Sequence, residues 1–143
     1  MAVMTGIGGW LPPGVVTNDQ LSQRMDTTDE WIRTRTGIRE RRMVSPGMST
    51  SDLAVEAGRR ALKSAGLAAV DALVVATTSA ERLCPAAGPE VASRLGLGTI
   101  AAFDLTSACS GFLYGLATAN GLVESGVADT VLLIGRASCR ERV

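Results

Sequence analysis

Among the residues able to do chemistry, Cys109 has the most suggestive setting. It lies in Ser107-Ala108-Cys109-Ser110-Gly111-Phe112, between an apolar strand pattern ending at Leu105 and a helical pattern opening at Ser110. A thiol at such a strand-to-helix turn stands at a helix N-terminus, where free N–H groups and the positive end of the helix dipole stabilise a thiolate. The same N–H groups suit the oxyanion that forms when a thioester carbonyl is attacked. Ser110 and Gly111 leave room for a substrate chain to approach. A small buried cysteine filling a tight spot explains the local pattern equally well.

A second group of residues is electrostatic. Between Asp29 and Arg42 five arginines surround Trp31, one of two tryptophans in the chain. Arginine forks suit phosphates, and an indole face stacks on an adenine or a guanidinium. A solvated charged face with Trp31 as a local anchor accounts for the run more economically. Cys84, before Pro85, reads as an apolar lining residue, and Cys139 receives no role. Gly6-x-Gly8 is half a dinucleotide fingerprint without its third glycine or acidic partner, and is discounted. The sequence contains no histidine, so the usual general base for a cysteine nucleophile is not supplied. Three cysteines without a CxxC pair predict no metal site.

The elements that must position these residues follow from the hydrophobic pattern. Ala2 to Gly8 predicts a strand, and Pro12-Pro13-Gly14 a turn. Asn18 is expected to cap a short helix through Met25, and Thr27-x-x-Glu30 to open a second helix ending at Gly37. Ile38 to Val44 reads as an extended, arginine-rich segment. Ser49-x-x-Asp52 opens a third helix ending at Gly66, apolar on one face and charged on the other. Asp71–Thr77, Thr99–Leu105 and Thr130–Ile134 are strands apolar throughout, as in a sheet covered on both faces. Pro89–Leu95 and Ser110–Ser125 are the helices between them, the latter apolar almost all round. Alternating strands and helices predict an α/β layer with a mostly parallel sheet.

Composition narrows the function classes. The 143 residues suit one compact domain, and 14 basic residues balance 14 acidic ones, against a nucleic-acid binder acting through its overall field. Aromatic residues make up 3%, too few for a platform that stacks single strands. Leu105 to Val123 is long enough to span a bilayer, but its glycines, hydroxyls and Asn120, without basic flanks, favour a buried strand–turn–helix. No membrane or nucleic-acid partner is expected. The cysteine usage and the lack of a leader pattern predict a reducing, cytoplasmic setting.

Several segments, in order, are similar to the N-terminal half of a β-ketoacyl-acyl-carrier-protein synthase III, of the thiolase fold. They are Asp26-Thr27-Thr28-Asp29-Glu30-Trp31-Ile32, Thr34-Arg35-Thr36-Gly37-Ile38-Arg39-Glu40-Arg41, Val75-Ala76-Thr77-Thr78-Ser79-Ala80, Pro85-Ala86-Ala87, Ala102-Phe103-Asp104 and Ala108-Cys109-Ser110-Gly111-Phe112. The resemblance runs from Thr5 to about Gly135. It implies an α/β thiolase-like fold, here one (N-terminal) half of the duplicated βαβαβ layered architecture. Residues 1–135 would form the half-domain, and residues 136–143 an atypical tail that is not the native continuation.

The resemblance places Cys109 on the family's acyl-accepting nucleophile. Thr27, Trp31 and Arg35 fall on positions that hold the nucleotide end of coenzyme A, and Cys84 on a position at the acyl pocket. It implies an acyl-cysteine formed from acyl-CoA and condensed with malonyl-acyl-carrier protein with loss of CO2, in fatty-acid or polyketide initiation. Coenzyme A thioester is then a substrate and no cofactor is needed; the partners are acyl carrier protein and a second copy in a homodimer. The family's catalytic histidine and asparagine lie in its second half, so this chain alone is expected to be inactive. The helix from Ser110 to Ser125 would then expose a large apolar patch. Acyl transfer to oxygen or nitrogen without condensation, or a non-catalytic partner subunit, are the alternative readings.

Overall fold

A computed structural model describes residues 2–136. They form two compact units, residues 11–48 and residues 2–10 together with 49–136. Cys139 and all of the expected tail but Arg136 lie outside the described residues.

In the smaller unit, β1 (Gly14–Thr17) pairs antiparallel with β2 (Glu40–Met43), with Val15 opposite Arg42. The sequence pattern predicts only a turn at Pro12–Gly14, because a four-residue strand carries too little alternation to read. α1 (Asn18–Ser22) begins one residue earlier than expected and stops at Ser22, short of Met25. Its cap is Thr17, which exchanges hydrogen bonds with Gln20, while the expected cap Asn18 is buried. α2 (Asp29–Thr36) is capped by Thr28, whose hydroxyl accepts from Trp31 N at 3.1 Å, and not by the expected Thr27. It closes on Gly37 at φ 73°, as its sequence predicts, because a left-handed C-cap is cheap for glycine.

The larger unit carries a parallel sheet. α3 (Thr50–Ala65) opens on the predicted box, with Ser49 N donating to Asp52 Oδ2 at 2.7 Å and Asp52 N to Ser49 Oγ at 3.1 Å. Then follow β3 (Ala72–Thr77), α4 (Ala87–Arg94), β4 (Ala101–Leu105), α5 (Gly111–Glu124) and β5 (Val131–Arg136). The strand order is β4-β3-β5, all parallel, with Val74 of the central strand opposite Phe103 and Leu133. Every residue of β3 is buried, which its unbroken apolar run requires.

Strand alternation divides the packing between two faces. Leu73, Val75, Leu132 and Ile134 point into the core that contains Val55 of α3 and Val91 of α4. The intervening residues face α5: a Cβ on Gly111 would stand 3.5 Å from Ala76 Cβ, and one on Gly115 only 2.5 Å from Leu133 Cδ1. The small residues of α5 thus let it lie close against the sheet. Of its large ones, Phe112 lies on Gly135 of β5, whereas Leu113 and Tyr114 point away, 66% and 58% exposed.

Ala2 to Gly8 forms no strand among the described residues. The segment rests on α3 instead, where Ile7 N donates to Ser64 Oγ at 3.3 Å and a Cβ on Gly6 would come within 2.6 Å of Ala65. The Gly6-x-Gly8 spacing, discounted as a dinucleotide fingerprint, serves this close approach.

Candidate acyl-transfer site

Cys109 stands where β4 passes into α5. Leu105 ends the strand, Ala108–Ser110 form a single 3-10 turn, and α5 starts at Gly111. The turn is closed by Ser110 N donating to Ser107 O at 3.1 Å. Ala108 holds φ 45°, a left-handed conformation that costs a residue with a Cβ on the order of 1 kcal/mol. This backbone presents Cys109, which is exposed. The reading of the cysteine as core filling is therefore set aside. No side chain caps the start of α5 among the described residues, and Gly111 N donates to Ala108 O, so what the helix start offers a thiolate is the positive end of its dipole. Ser110 is exposed beside the thiol, whereas Gly111 is buried and serves the packing on Ala76 more than substrate access.

The neighbouring connection brings the second cysteine to the same end of the sheet. β3 and β4 are parallel neighbours, so the loops that follow them leave from one edge. Cys84 lies exposed in the β3–α4 loop, joined to Pro85 by a cis peptide bond. α4 behind it has no side-chain cap of its own; Asp104 of β4 takes that part, accepting from Ala87 N at 3.0 Å and Gly88 N at 2.6 Å. A carboxylate at a helix N-terminus satisfies free donors and meets the dipole favourably. Local sequence could not show this, since the cap comes from a different strand. Thr106 Oγ1 donates to Thr77 O at 3.3 Å, tying the ends of β3 and β4 beside the site.

The remaining candidates belong to the smaller unit. Trp31 and Arg35 are one helical turn apart on α2, and the Arg35 guanidinium carbon lies 5.0 Å from the Trp31 ring centroid. Trp31 is half exposed, leaving indole surface for a flat ligand. Thr27 precedes the helix, its Oγ1 buried and without a hydrogen-bond partner among the described residues. Arg33, Thr34 and Arg39 join Asp29, Glu30 and Gly37 around a shallow depression on this unit. Another groove, lined by Pro89, Ala92 and Ile100 among others, includes neither cysteine. Among the described residues no cluster of His, Cys, Asp and Glu is placed to hold a metal ion, and no helix is long and apolar enough to cross a membrane.

Comparison with known proteins bears on this arrangement. The family model for 3-oxoacyl-[acyl-carrier-protein (ACP)] synthase III matches residues 103–142, from inside β4 onward. Over 94% of its length the chain is 57% identical to β-ketoacyl-[acyl-carrier-protein] synthase III 3 of Streptomyces coelicolor, of which it spans 41%. It superposes on the crystal structure of 3-oxoacyl-(acyl carrier protein) synthase III from Pseudomonas aeruginosa with a TM-score of 0.89 at 47% identity, covering 93% of this chain and 42% of that one. Over nearly its whole length the chain is thus similar to β-ketoacyl-acyl-carrier-protein synthase III proteins. Its fold is accordingly α/β and thiolase-like, one half of that duplicated architecture. It spans about two-fifths of the synthase III relatives' length. The priming β-ketosynthase from the R1128 polyketide biosynthetic pathway has the same fold here, with a TM-score of 0.85 at 37% identity over 93% of this chain and 41% of that one.

Proposed function

We propose that this chain carries the acyl-accepting part of a β-ketoacyl-acyl-carrier-protein synthase III, an acyltransferase that initiates fatty-acid or polyketide chains. The observation that carries the reading is the exposed Cys109 on a left-handed turn at an uncapped helix start. The Cys109 thiolate attacks the carbonyl of acyl-CoA, the carbon–sulfur bond to coenzyme A breaks, and coenzyme A leaves as a thiolate that takes up a proton. The positive end of the α5 dipole favours the thiolate and the tetrahedral oxyanion alike. Loss of CO2 from malonyl-acyl-carrier protein then gives a carbanion that attacks the acyl-cysteine carbonyl, so a carbon–carbon bond forms, the carbon–sulfur bond to Cys109 breaks and the Cys109 thiolate is released. Thr27, Trp31 and Arg35 take the nucleotide end of coenzyme A, for which the open indole face is suited. Cys84 lines the acyl pocket. The functional protein is a cytoplasmic homodimer and works with acyl carrier protein. This chain alone does not condense, because a sequence without histidine lacks a group that promotes decarboxylation and stabilises the enolate.

Mass spectrometry of the chain incubated with acetyl-CoA tests the reading. A single acetyl adduct on Cys109 is expected, lost in Cys109→Ala and retained in Cys84→Ala. Added malonyl-acyl-carrier protein should yield no ketoacyl product. Acetylation of Cys84 and Cys109 alike, or of neither, would overturn it.

A further inference from the structure

Asn18 is 1% exposed, and its side-chain amide makes three hydrogen bonds. Nδ2 donates to Asp29 Oδ1 at 2.7 Å and to the Ile38 carbonyl at 2.8 Å, while Oδ1 accepts from Arg41 Nη2 at 3.1 Å. These partners bracket α2. Asp29 is its first residue, Ile38 follows its C-cap Gly37, and Arg41 lies on β2. Because Thr17 caps α1, the Asn18 amide is free of that duty.

α2 needs such a hub. A helix of eight residues is too short to be stable by itself, and Ile32 is its buried residue. One apolar anchor resists removal of the helix from its seat but resists rotation about its axis poorly. Hydrogen bonds are directional, so an amide bonded at both ends of the helix and to the adjoining strand fixes that rotation. Rotation is what determines where Trp31 and Arg35 point. The hydrogen bond from Asn18 holds the Asp29 carboxyl below the usual carboxylate range.

We propose that Asn18 is a positioning residue, setting the orientation of α2 so that Trp31 and Arg35 are presented to the nucleotide end of coenzyme A. This rests on the reading of Trp31 and Arg35 given above. Calorimetric titration of the full chain with coenzyme A and, separately, with pantetheine tests both. The wild-type chain should bind coenzyme A more tightly. Asn18→Ala and Asp29→Ala should each lose at least tenfold in coenzyme A affinity with pantetheine affinity unchanged, a split that general loosening of the fold would not give. Asp29→Asn, which keeps an oxygen acceptor for Asn18, should stay near wild type. If Asn18→Ala fails to fold, the surface variant Asp29→Ala decides. A wild-type chain with no preference for coenzyme A over pantetheine would sink the nucleotide reading and this inference with it. A preference that survives both alanine variants would overturn the role of Asn18 alone.

Discussion

Ala108 shows how much of the candidate site depends on one dihedral angle. Its φ of 45° turns the chain so that the next side chain, the Cys109 thiol, faces outward. Glycine adopts this conformation freely, alanine at a cost, and a β-branched residue scarcely at all. Ala108→Gly should therefore leave the denaturation midpoint unchanged or raise it. Ala108→Val should lower stability by about 1–2 kcal/mol and slow acylation of Cys109, because the turn must open to seat the branch. Denaturant unfolding and the rate of acetyl adduct formation check the two effects. The position of Cys109 between strand and helix was legible in the sequence, since apolar runs on either side marked both elements. The strain was not, because nothing about an alanine announces a positive φ. Asn18 was misread for a related reason: a polar residue before a helical pattern suggests a cap, and its true partners are 11 to 23 positions away.

At the scale of elements, what the sequence shows well is what is local. The Ser49–Asp52 box, the left-handed glycines after α2 and α3, and the apolar run of β3 are each contained within a few residues. What it hides is exchanged between elements, as when Asp104 caps α4, or when Gly6 is glycine because α3 runs beneath it. The box at α3 also makes an electrostatic prediction. The Ser49 backbone N–H first, then Arg94, hold the Asp52 carboxyl down to about 2. A carboxyl whose pKa is lowered by folding stabilises the native state above its ordinary value near 3.8, and that contribution fades as pH falls from about 4 towards 2. Wild type should thus exceed Asp52→Asn in stability at pH 6, and the two should converge near pH 2. Unfolding midpoints measured across that range test it; a constant gap would show that the carboxylate charge is not what matters.

For the molecule as a whole, α5 dominates the behaviour to be expected in solution. It lays Gly111 and Gly115 against the sheet and leaves Phe112, Leu113, Tyr114 and Leu116 substantially exposed. An apolar surface of this kind drives association. The isolated chain should show concentration-dependent self-association in sedimentation velocity. Leu113→Glu should shift it towards the monomer without loss of helical signal. Unchanged association would move attention from the helix to the sheet. There the strand order β4-β3-β5 leaves β4 and β5 each paired on one side only among the described residues. In the language of polymer chemistry the sheet is a monomer of functionality two. Joining β4 to β4 consumes one margin per molecule and closes a pair, with both β5 margins still reactive; joining at both margins propagates a chain. Capping either margin would therefore limit growth to pairs, and only capping both would stop sheet-to-sheet growth altogether.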